Sequence, residues 1–145
     1  LFVDVWNTKV PMKVSICIWR ILLNRMPSLD NLIKRNIQLV EEDALCLACR
    51  VEAESITHVL FRCKEAQKVW KTCFWWFDIV SVLPGTPSLH FYHYPMLSWN
   101  TTCRERWKVL WCAVIWYIWR HRNASLHKNQ VFYSNKVIQD VLYFS

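Results

Sequence analysis

Four residues stand at a spacing that does chemistry. Cys46 and Cys49 are followed by His58 and Cys63, giving C-x2-C-x8-H-x4-C. Three thiolates and one imidazole suit tetrahedral Zn²⁺, and four protein ligands leave no open coordination position. The pattern therefore points to a structural zinc site and not to a catalytic one. Other chemistry is sparse. Asp4, Asp30, Asp43, Asp78 and Asp140 are isolated, so no paired aspartates stand ready to hold two metal ions for phosphoryl transfer. The run Glu41-Glu42-Asp43 reads as a solvated entrance to the metal segment. A single glycine, Gly85, excludes a Gly-rich phosphate loop. His90 and His93 lie in a Pro-containing stretch and read as polar loop histidines. Cys73, Cys103 and Cys112 sit among aromatics and read as inert core thiols.

The elements that must hold these ligands read as helices. Residues 1–10 are short and β-leaning. Pro11 suits a helix start, and from Met12 to Met26 nearly every core-facing position is apolar, with Lys13, Arg20 and Asn24 as one narrow polar stripe. Such a helix is expected to be mostly buried. Ser28 is a good N-cap for a second helix with Leu29, Leu32 and Ile33 inward and Lys34 and Arg35 near its end. Residues 37–40 form a short apolar run, an edge strand or a turn. Ser55 caps a short helix carrying His58. His58 and Cys63 are five apart, about 140° around an ideal helix, so a break near Arg62–Cys63 is required before the helix holding Val69, Trp70, Phe74 and Phe77. Residues 104–123 form the last long helix. Its apolar run 109–119 is too short for a membrane span of about 20 residues and fits a buried core helix. A final helix is expected over 135–144.

The expected fold is therefore mostly α, a small helical domain around a CCHC knuckle. Its parts are 1–80 around the metal, a linker loop at 81–103 and a helical segment at 104–145. The 145 residues are 54% hydrophobic with ten Trp, ample for a core, and the net charge is +7. That balance fits RNA or DNA as a partner. Lys13, Arg20, Lys34, Arg35, Arg104, Arg106, Lys108, Arg120 and Arg122 are the candidate contacts. With no secretory signal and clustered Cys and His, an intracellular location, nuclear or cytoplasmic, is expected; no membrane partner is. The chain opens on Leu1, as a piece of something longer would.

Val10-Pro11-Met12-Lys13-Val14, Trp19-Arg20, Arg25-Met26-Pro27-Ser28 and Asn31-Leu32 lead into the metal pattern. Glu54-Ser55-Ile56-Thr57-His58-Val59-Leu60-Phe61-Arg62-Cys63 and Trp70 continue it. Together these stretches resemble the zinc-binding domain at the C-terminal end of non-LTR (LINE-type) retrotransposon reverse transcriptases of the plant type. Trp116-x2-Trp119-Arg120 and Arg122-Asn123 resemble a helix that follows in the same family. The resemblance implies Cys46, Cys49, His58 and Cys63 as zinc ligands. It also implies an accessory, non-enzymatic role beside a reverse transcriptase core, on RNA or DNA. Lys64 stands where the family has Pro, and Cys17 where it has a bulky aromatic. The alternatives are a zinc-stabilised protein-interaction domain, a fragment of an element without function, and, least favoured, a small membrane-associated protein.

Overall fold

Pro11 splits the N-terminal helices. The computed structural model describes residues 2–38, 44–77, 90–91 and 100–144. Helix α1 (Phe2–Asn7) runs toward Pro11 and α2 (Met12–Leu22) starts from it. A residue without an N–H is harmless there, because first-turn amides have no intrahelical partner. The β-leaning expectation for residues 1–10 is corrected. Val5 is buried, and the Trp6 and Trp19 indoles lie 6.5 Å apart, so packing overrides a weak local preference.

Helix α2 is two-sided. Val14, Cys17, Ile18 and Ile21 are buried, while Met12, Ile16 and Trp19 are exposed beside Lys13 and Arg20. The expectation of a mostly buried helix thus holds for one face only. It ends before Met26 because Asn24 adopts φ 52°, the left-handed region. The Asn31 amide donates to the carbonyl oxygens of Asn24 (3.2 Å) and Met26 (2.8 Å) and fixes that turn. Helix α3 (Leu29–Lys34) begins after Ser28 as expected, although the Ser28 hydroxyl bonds the Asp30 carboxylate and not a backbone amide. Leu29 points inward, but Leu32 is half-buried and Ile33 exposed. Ile37 and Gln38 are exposed and in no strand; Leu39 and Val40 lie outside the described residues, as do Glu41-Glu42-Asp43 and His93.

After the metal segment come α4 (Lys64–Trp76), α5 (Thr101–Lys128) and α6 (Ser134–Phe144). Helix α5 outruns the expected 104–123 at both ends. Asn100 Oδ1 accepts from the Cys103 amide at 2.8 Å, and Asn129 at φ 50° closes the far end. At 28 residues it is about 42 Å long. It buries Trp107, Leu110, Trp111, Cys112, Val114, Ile115, Ile118 and Trp119, on more than one face, because α2, α4 and α6 pack around it. One buried cluster runs from Val5 to Val141. The apolar run 109–119 is core, and no described helix is long and apolar enough to cross a membrane.

His90 is not a solvent-facing polar histidine. It is buried, with ring centroids of Trp70 at 4.3 Å and Phe61 at 5.0 Å, and its Nδ1 accepts from the Trp111 indole at 2.8 Å. The ten tryptophans supply the reason: a ring of indoles offers a histidine both apolar cover and a donor. Burial pushes the Cys73 and Cys112 thiols up to about 12, so both stay protonated and inert. Cys103, expected in the core, is only half-buried in the first turn of α5.

The long helix is tied to the metal segment by a buried ion pair. Arg122 Nε lies 3.2 Å from both carboxylate oxygens of Glu54, and its Nη2 bonds the same carboxylate. Glu54 Oε1 also accepts from the Leu29 amide at 3.0 Å. The guanidinium stacks 4.7 Å from the Trp119 ring. Arg122 is therefore withdrawn from the candidate nucleic-acid contacts: its charge is spent inside. Replacing Glu54 by Ala leaves that cation buried and alone. The variant is expected to lose about 3–5 kcal/mol in urea unfolding, whereas a loss under about 1 kcal/mol would show the pair to be dispensable.

Candidate metal centre

Local backbone geometry brings the first two cysteines together. The Cys46 amide donates to the Glu52 carbonyl at 2.7 Å, the Arg50 amide to the Cys46 carbonyl at 2.8 Å, and the Glu54 amide to the Ala44 carbonyl at 2.9 Å. Leu45 and Ala53 form an antiparallel bridge. These bonds close a small hairpin whose tip holds Cys46 and Cys49. Arg50 makes the reversal at φ 59°.

His58 and Cys63 arrive from the other side. The Ser55 hydroxyl accepts from the His58 amide at 3.1 Å, the expected cap. The chain then winds as a π-helical turn over His58–Arg62, and the Cys63 amide donates to the His58 carbonyl at 2.7 Å. An i→i+5 bond sets residues five apart one above the other, which an α-helix does not. The expected break follows at Cys63, with φ −57° and ψ 135°, even though Lys64 and not Pro comes next. The wider turn is held from within the core: the Trp70 indole donates to the Leu60 carbonyl at 2.7 Å.

The structure brings all four expected ligands together, with their donor atoms within 4.8 Å of one another. Cys46 Sγ and Cys63 Sγ are 3.9 Å apart, and Cys49 Sγ and His58 Nε2 are 3.4 Å apart. Zn–S bonds near 2.3 Å in a tetrahedron require S···S of about 3.8 Å, so the cage has the size of the ion. Cys46, His58 and Cys63 are buried and Cys49 half-buried, and all seven cysteines are free thiols. The Cys46 thiol donates to Cys63. That contact, with burial, raises the Cys46 pKa; the same contact lowers that of Cys63 against the opposing effect of burial, and the amides of Glu65 and Ala66 further favour the thiolate there. Two sulfurs sharing a proton at this distance are a pair that a divalent cation separates, releasing the proton.

Glu52 escaped sequence reasoning, which counted it only as charge. Its Oε2 lies 3.2 Å from His58 Nδ1, without yet closing a hydrogen bond. With Nε2 facing the sulfurs, Nδ1 is turned toward Glu52, which stands where carboxylates orient metal-bound histidines. A Glu six residues before a ligand His was the available signal.

Residues 2–70 match the family described as zinc-binding in reverse transcriptase. This segment is similar to the zinc-binding domain of reverse transcriptases. Neither a curated protein nor a solved structure matches the chain. The resemblance over 104–123 falls beyond the matched residues, yet Arg122 from that stretch closes on Glu54 inside them. Zinc is thus the domain's ion, with Cys46, Cys49, His58 and Cys63 as the residues that would hold it. The zinc-binding domain is an accessory part of a reverse transcriptase and not its catalytic region. Of the remaining basic residues, Lys13, Arg20, Lys34, Arg35, Arg104, Arg106 and Arg120 are exposed, while Lys108 is half-buried and pairs with Glu105 at 3.2 Å.

The purified protein is expected to carry one zinc per chain, and Cys46→Ser to abolish both the metal and the cooperative unfolding transition; a stably folded, zinc-free C46S protein would refute a structural role. Glu52→Gln is expected to keep the stoichiometry but weaken zinc binding about 10-fold or more in a chelator competition.

Proposed function

We propose that this chain is a non-enzymatic, zinc-stabilised accessory domain that holds RNA or DNA beside a reverse transcriptase core. The observation that carries the reading is the separation of charge. Residues 41–63 contain Arg50 and Arg62 against Glu41, Glu42, Asp43, Glu52 and Glu54, a net of −3. Three thiolates around one Zn²⁺ add about −1 more. A knuckle this acidic repels phosphate. The helical parts carry the basic excess, six basic against two acidic side chains in residues 1–40 and seven against two in 81–145, and the excess stands when Arg122 and Glu54, which neutralise each other, are set aside. The knuckle therefore clamps, and the helices hold.

The contacts follow as Lys13, Arg20, Lys34, Arg35, Arg104, Arg106 and Arg120, with Lys108 in a lesser part. An intracellular, reducing setting suits three ligating thiolates. One feature favours a second role, docking on the polymerase core: a cleft of about 520 Å³ among α4, α5 and α6, with Trp76, Phe77, Val109, Leu110 and Leu142 in its walls beside Lys9, Glu105 and Arg106. Apolar clefts of this kind mark interaction sites.

Binding of a labelled oligonucleotide, followed by anisotropy, is expected at low salt and to weaken linearly in log K against log salt, as counterion release requires. No binding to RNA or DNA at low salt would overturn the nucleic-acid reading and leave the docking role.

A further inference from the structure

A second cleft lies between α2 and α5, far from the knuckle in character. Its volume is about 260 Å³. Lys13 and Arg20 on α2 and Arg120 on α5 line it, with Trp116 in one wall and the small Cys17 side chain set between. No carboxylate lines it. Lys13, Arg20 and Arg120 are exposed, and none of the three is ion-paired among the described residues. Two of them are pinned to one ring: Lys13 Nζ is 5.8 Å and the Arg120 guanidinium 5.7 Å from the Trp116 centroid. On the same helix Trp19 is 38% exposed, and beside it stands Trp6, 45% exposed.

We infer that this cleft binds unpaired nucleotides of a single strand, a reading that rests on the nucleic-acid function proposed above and specifies its site and its substrate. Three observations converge on it. The cations attract phosphate and have no carboxylate partner among the described residues. The indoles are flat, partly open surfaces on which any base can stack, at about 1–3 kcal/mol per base. The volume falls below the roughly 300–1,000 Å³ of sites for drug-sized ligands, so it admits one base or one phosphate and not a large cofactor. A duplex meets only part of this chemistry. Its phosphates reach the three cations, but its bases stay stacked on one another and cannot reach Trp116 in the cleft wall. A single strand satisfies both the charge and the rings.

Spacing supports a track and not a point contact. Lys13, Ile16 and Arg20 stand at i, i+3 and i+7 on α2, and Trp116, Arg120 and Asn123 at i, i+4 and i+7 on α5. Each set forms one stripe about two turns long along its helix.

The test uses the full zinc-loaded chain with labelled oligothymidylate of about 12 nucleotides, within the usual range of single-strand sites, and a duplex of equal length. Single strand is expected to bind at least 10-fold more tightly than duplex and to quench tryptophan fluorescence. The combined variant Lys13→Ala, Arg20→Ala, Arg120→Ala alters exposed side chains only. It is expected to bind single strand at least 10-fold more weakly and to lower the log–log salt slope by about 2, at roughly 0.7 per cation. Trp19→Ala is expected to weaken single-strand binding and leave duplex binding alone. Lys64→Ala with Lys71→Ala, exposed on α4, is the matched control and is expected to change neither. If the triple variant binds as the parent does, or duplex competes equally with single strand, the cleft is not the site although the domain still holds nucleic acid. If the parent binds neither, the broader function falls with it.

Discussion

The Glu54–Arg122 pair is the constraint around which this molecule closes. Two charges removed from water cost several kcal/mol each, and only near-complete hydrogen bonding offsets that. Here the carboxylate receives Arg122 on both oxygens and the Leu29 amide on one of them. The guanidinium also reaches the Asn123 side chain at 3.0 Å and the Pro27 carbonyl at 3.4 Å, and lies on Trp119. Four parts of the chain meet at this point: the turn before α3, the start of α3, the exit of the knuckle and the last third of α5. Glu54 directly precedes Ser55, whose hydroxyl caps the turn carrying His58. The pair thus sets where the metal turn begins relative to the longest helix.

The metal site and the core are coupled through backbone as well as charge. A π-helical turn is wider than an α-turn and survives only where something rewards the change. Two things do so here. His58 and Cys63 come to one side, where a single ion can hold both, and the Leu60 carbonyl finds the Trp70 indole. Trp70 in turn packs among Phe61, His90 and Trp107. The buried ligand pair is therefore fixed by an adjoining aromatic layer, and the last ligand, Cys63, is the N-cap of α4. This explains why a Lys at position 64 does no harm: the break after the turn is imposed by the hydrogen-bond pattern and the metal geometry, not by a proline ring.

The legible parts of the sequence were those governed by local rules. Ligand spacing, the helix start after Ser28, the Ser55 cap, the stripe of Lys13 and Arg20, and the burial of 109–119 depend on residues a few positions apart. What stayed hidden depends on partners far along the chain. Helix α1 forms against α2, which no strand or helix preference of LFVDVWNTKV announces. Arg122 looked like its exposed neighbour Arg120, and only Glu54, 68 positions away, distinguishes them. His90 looked like a loop histidine because its cover comes from Phe61, Trp70 and Trp111. Glu52 was a charge until the fold placed it behind His58. For Arg122 and His90 the deciding factor was desolvation by distant side chains, which periodicity does not encode.

Desolvation also explains the division of labour in the molecule. A thiolate-rich metal site carries negative charge, and that charge disfavours phosphate beside it. The core requirement then sorts the cations. Arg122 faces inward on α5 and must be neutralised by Glu54. Arg120, two residues earlier, faces the α2 side and keeps its charge for solvent or ligand. The same helix therefore contributes one arginine to structure and one to the surface, 200° apart at about 100° per residue. The matched family segment ends at Trp70, but the carboxylate within it is neutralised from position 122. Its folded form therefore depends on a helix that lies beyond it in sequence.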